Sequence, residues 1–230
     1  MQDATIPAAP LPLSLRYRAI SLAEVALGTF LVIGHNVFHI VPNEVPFLAA
    51  LFFLSFWIRD HGYKIPGLTR PKSWRNTILM ALAAAAVLQL GSELVVGPLA
   101  AHFWPEPQHV SSLISGLAHN WRFALRNLVI IWVFAGFGEE LGYRGYLLNC
   151  AADLGRRSKL AYVAAMLFVA VLFGFCHFYK GPAGVMDSTY SGLVLGGVYL
   201  LSGRNLWAAI LAHGISDSFA IVVVFMGWAS

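Results

Sequence analysis

Residues 160–178 carry no charged side chain. A helix needs about 20 mostly apolar residues to cross the hydrocarbon core of a bilayer. Runs of that kind recur along the chain, and their spacing predicts spans over 19–41, 45–58, 77–101, 125–148, 160–178, 188–201 and 206–228. The second is short enough to be tilted or re-entrant, and the sixth is weak and rich in glycine. Composition points the same way. The chain is 58% hydrophobic and 11% charged, against about 45–50% and about 25% for a soluble domain. The expected fold is an all-α polytopic membrane protein, a bundle of about seven transmembrane helices.

The polar residues outline the organisation. Residues 1–18, with Pro7, Pro10 and Pro12 and no basic residue before Arg16, read as a short disordered arm rather than a cleaved signal peptide. Residues 19–121 form the first three spans and an interfacial loop that holds Trp104, Pro105 and Pro107. Residues 122–230 form a core of four spans. With the N-terminus in the cytoplasm, that side receives Arg16, Arg18, Arg59, Lys64, Arg70, Lys72, Arg75, Arg156, Arg157, Lys159 and Arg204, most of the 15 Lys and Arg. The positive-inside rule demands such a bias. The net charge of +4 is spread over short loops, so it is no nucleic-acid footprint. Cys150 and Cys176 match no metal or redox spacing.

Inside span four, residues 137–148 read F-G-E-E-L-G-Y-R-G-Y-L-L. A charge at membrane depth costs about 2.5–3.5 kcal/mol, so Glu139, Glu140 and Arg144 need a reason. On a helix Glu140 and Arg144 lie four apart and can pair. Glu139 has no basic residue three or four positions ahead, and a free carboxylate in an apolar site suits the work of a general base. The bland alternative is a buried structural Glu–Arg pair with a spare acid. Two further clusters follow: Phe173 and His177 at the end of span five, and His213 and Asp217 in span seven, each pair four residues apart. Three spans with groups that lipid rejects are most cheaply arranged facing one another. A carboxylate with two imidazoles suits water activation and oxyanion stabilisation in acyl hydrolysis. Gly138 with Gly142, and Gly192 with Gly196, have the spacing that lets helices approach closely in lipid.

The ordered set Glu139-Glu140-xxx-Arg144, Phe173-xxx-His177 and His213-xxx-Asp217 resembles the CPBP family, the CAAX protease and bacteriocin-processing membrane proteins also called Abi proteins. The resemblance covers residue 125 onward. It implies an intramembrane glutamic-type endopeptidase, multi-pass in a bacterial inner membrane. Its substrate would be a membrane-embedded or lipidated protein or peptide, and it would need neither cofactor nor metal. It implies that Glu139 and His177 activate water, that His213 and Asp217 bind the oxyanion, and that Glu140 and Arg144 support the site. Tyr143 and Phe173 are expected against the substrate. Two rival readings stand beside it. One is a non-catalytic binding, immunity or scaffold protein of the same fold. The other is a histidine-box metal enzyme built on His35 and His39, four apart in span one.

Overall fold

Six helices begin at a serine or asparagine whose side chain accepts a hydrogen bond from a backbone N–H of the first turn. Such residues satisfy donors that an open helix end leaves bare. Ser14 precedes α1 (Leu15–Asn36), Asn43 precedes α2 (Glu44–Ile58), and Ser73 precedes α3 (Trp74–Phe103). Asn120 precedes α4 (Trp121–Leu154), and Ser158 precedes α5 (Lys159–Phe175). The next helix, α6 (Gly181–Leu201), starts differently, at a glycine with φ +74° followed by proline. Asn205 precedes α7 (Leu206–Phe225). The computed structural model describes residues 13–59, 67–104 and 116–228, and no strand occurs among them. The expected prolines of the arm, and Lys64, Pro105 and Pro107, lie outside the described residues.

The molecule is an all-α polytopic membrane protein. By length and composition α1, α3, α4 and α7 can each cross a bilayer, α5 and α6 qualify only as a pair, and α2 is a shorter apolar helix. Leu79, Leu82, Leu90, Val163, Leu167 and Val171 point outward and exposed, as a lipid-facing surface requires. The α5–α6 pair is not one straight span. Gly174 abuts Val185 and Thr189, Gly192 abuts Ala170, Gly196 abuts Met166, and Arg204 donates to the Tyr162 hydroxyl. Those contacts run in antiparallel order, so the chain turns back at the short helical turn Phe178–Lys180 and retraces its path.

Cross-chain contacts place the helix ends on two faces. On the face of the N-terminus, Arg59 after α2 meets Glu24 of α1 and Asp153 of α4, and Arg18 donates to Leu154 O at 2.7 Å. Leu206 N at the start of α7 bonds Gly67 O before α3. On the opposite face, His119 before α4 bonds Phe225 O at the end of α7.

Three sequence expectations shift. The first helix begins at Leu15, inside the expected arm, and stops at Asn36 rather than residue 41. His39 therefore lies beyond it, with φ +55°, and does not share a helical face with His35. This corrects the H-xxx-H geometry on which the metal-enzyme reading rested.

The fourth helix, α4, occupies the centre and touches α1, α2, α5 and α7. Its glycines allow this. A Cβ on Gly138 would meet Val45, and one on Gly142 would lie 2.7 Å from Leu48 Cβ, both on α2. Gly136 faces the backbone of Gly214 on α7. Within α4, Ile131–Leu147 is wound as a π-helix. Such winding is rare, occurs mostly as single turns, and is frequent at functional sites.

Candidate active site

The π-wound stretch of α4 carries all three charged residues of the acidic motif. Glu140 and Arg144 are fully buried, and Arg144 Nη1 donates to Glu140 Oε1 at 2.8 Å. The same carboxylate oxygen takes a second bond: His213 Nδ1 of α7 lies 2.8 Å away. Arg144 also donates to Gly192 O of α6 at 3.3 Å, and its guanidinium sits 4.5 Å from the centre of the Phe173 ring. One ion pair thus ties α4, α5, α6 and α7 together. A buried charge left in apolar surroundings is costly unless paired and hydrogen-bonded, and this arrangement supplies both.

Glu139 differs from its neighbour. Its Oε2, like that of Glu140, is buried with no hydrogen-bond partner among the described residues, but Glu139 forms none of the ion pairs that hold Glu140. His213, Asp217, Glu140 and Arg144 are the charged groups that act on it. Asp217 lies one turn beyond His213, with Oδ2 3.6 Å from His213 Nε2. That is close enough for charge attraction and too long for a hydrogen bond. Its side chain is 35% exposed, while Glu140 is at 0%. The site therefore opens on the Asp217 side and is closed behind Glu140. Next to Asp217, Ser216 accepts from Gln89 of α3 at 2.8 Å.

His177 stands at the corner between α5 and α6. Its ring packs edge-on against Phe173, with centroids 5.4 Å apart, and His213 meets the same Phe173 ring at 5.9 Å. Phe173 contacts Tyr143 across the antiparallel α4–α5 seam at 5.0 Å. Glu139 precedes Tyr143 by four residues and His177 follows Phe173 by four. His177 Nδ1 lies 3.4 Å from Phe173 O and 3.0 Å from Cys176 Sγ. A carbonyl only accepts, so a bond to Phe173 O requires the proton on Nδ1, which leaves Nε2 free to accept.

The structure gathers Glu139, Glu140, Arg144, Phe173, His177, His213 and Asp217 around one seam. Tyr143 and Phe173, expected against the substrate, are 0% and 2% exposed, so neither offers surface to a ligand in this conformation. Two participants lie outside the expected site residues. Glu44, the first residue of α2, is 3% exposed, and its Oε1 accepts from the Tyr143 hydroxyl at 3.3 Å. Gln89 joins through Ser216. A first-turn glutamate is ordinarily explained by the helix dipole; the available signal was that Glu44 opens an apolar helix with no basic residue following it in that helix. No group of three or more His, Cys, Asp or Glu positioned to hold a metal occurs among the described residues.

Residues 120–219 match the family model described as type II CAAX prenyl endopeptidase Rce1-like. The matched stretch contains all of the site's α4, α5 and α7 residues. No curated protein and no solved structure matches the chain.

Proposed function

We propose that this chain, whose residues 120–219 match the Rce1-like CAAX prenyl endopeptidase family model, is an intramembrane endopeptidase that cleaves a membrane-associated or lipidated protein with a water activated by Glu139 and His177. The observation that carries this reading is the contrast between two adjacent carboxylates. Each keeps a buried Oε2 with no hydrogen-bond partner among the described residues, but Glu140 is tied through Oε1 to Arg144 and His213, a pairing that Glu139 lacks.

The reaction follows from the donors and acceptors at hand. Glu139 accepts a proton from water, and the hydroxyl attacks the scissile carbonyl carbon. His177 orients that water through its Nε2 lone pair. Negative charge then develops on the carbonyl oxygen. His213 meets it best with both nitrogens protonated: Nδ1–H is held by Glu140, and Nε2–H, 3.6 Å from Asp217, is left to be shared with the oxyanion. Glu140 lies behind the ring at Nδ1 and balances its charge, while Asp217 stands beside the Nε2 donor. Collapse of the tetrahedral intermediate breaks the C–N bond, and the proton held by Glu139 passes to the departing amine. A general base contributes about 10²–10⁴-fold, and each oxyanion donor about 10²–10³-fold.

The basic loops at the N-terminal face support an orientation with that face in the cytoplasm. The test is a comparison of protein termini in membranes from cells with wild-type protein and with Glu139→Gln. New C- or N-terminal peptides that depend on Glu139 are expected. Identical termini, with both proteins inserted equally, would favour the non-catalytic binding reading.

A further inference from the structure

We infer that Glu44 is a positioning residue for this site, setting the angle of both histidines through Tyr143 and Phe173; the inference rests on the proteolytic reading above. Glu44 sits where a helix usually shows a carboxylate to solvent, yet it is 3% exposed. One oxygen accepts from Asn36 Nδ2 at 3.0 Å and from the Tyr143 hydroxyl at 3.3 Å. The other lies 3.7 Å from His35 Nε2. The carboxylate thus joins the end of α1 and the start of α2 to the middle of α4.

Tyr143 passes that anchorage inward. It is fully buried, and its ring stands at 87° to Phe173. Phe173 is the shared wall of the site. His177 and His213 both pack edge-on against it, and the Arg144 guanidinium lies over it. The Phe173 carbonyl also addresses His177 Nδ1. Cys176, next to His177, places its Sγ 3.0 Å from the same Nδ1. Freeing the Tyr143 hydroxyl therefore lets one ring turn and moves two imidazoles together. The substrate-facing side, which opens at Asp217, is untouched. Loss of aim at the reacting atoms with the binding surface intact lowers kcat and spares KM. A carboxylate that merely fastened α1 to α2 would lower stability and leave kcat alone.

The experiment is a double-mutant cycle on purified protein, using a farnesylated, fluorescence-quenched peptide and the variants Glu44→Gln, Tyr143→Phe and both together. Each single change is expected to lower kcat about ten-fold with KM within about two-fold, and the double variant should be no worse than the weaker single one. That non-additivity marks a shared path. An unchanged kcat in Glu44→Gln, or effects that multiply in full, would overturn the inference. The ¹⁵N resonances of His177 provide a readout independent of turnover. Both single variants should shift them, and an unshifted Nδ1 signal would count against Glu44. If the wild type cleaves nothing, the functional reading fails while the ¹⁵N signal still decides the positioning claim. Should Glu44→Gln not fold, Tyr143→Phe decides both readouts.

Discussion

Glu139 and Glu140 are neighbours in sequence and opposites in environment. Removing one partner of a buried charge pair costs about 3–5 kcal/mol, because the other is left uncompensated. Glu140→Ala and Arg144→Ala should therefore lower the unfolding temperature in detergent markedly. Glu139→Gln should not, since its buried oxygen has no hydrogen-bond partner to lose among the described residues. A Glu139→Gln protein as unstable as Arg144→Ala would show that Glu139 is a structural charge. The Glu140–Arg144 pair was legible from spacing alone, because residues four apart on a helix are neighbours. The bond from His213 to Glu140 was not. It spans 73 positions and exists only because α7 packs on α4 at Gly136 and Gly214. The link from Glu44 to Tyr143 was not legible either, because it spans 99 positions and a first-turn acid has an ordinary local explanation.

At the scale of the helices, close packing rather than polarity sets the site. A methyl group on Gly142 would press on Leu48 and push α2, with Glu44 at its start, away from α4. Gly142→Ala should cost about 1–3 kcal/mol, as overpacking does. Gly197→Ala, where a Cβ meets nothing within 4 Å, should stay within about 0.5 kcal/mol of wild type. Thermal unfolding of the two variants checks this; equal effects would mean the α2–α4 approach is loose. The positions of the apolar helices were readable from hydropathy, since lipid imposes their length. The π-winding of 131–147 was not, because residue type carries no signal for one extra residue per hydrogen-bonded ring. The early end of α1 was equally hidden: residues 37–41 are apolar enough to continue it, and the turn is made by His39 in a left-handed conformation.

Over the whole molecule, alternating helices deliver Arg59, Arg75, Arg156, Arg157, Lys159 and Arg204 to the face of the N-terminus and Arg122, Arg126 and Lys180 to the other. Reporter fusions after residue 157 should accordingly report cytoplasm, and fusions at residue 180 the opposite side. The reverse pattern would refute the orientation. Between those faces α4 holds Glu139 near the middle of a 34-residue helix, so under the proposed function a substrate would bring its scissile bond into the bilayer. The most direct measurement of the central claim is turnover of one farnesylated peptide by wild type and Glu139→Gln, purified and placed in the same lipid bilayer. Wild type should cleave it, and Glu139→Gln should be slower by about 10²–10⁴-fold at unchanged unfolding temperature. Equal cleavage by the two proteins would contradict the account.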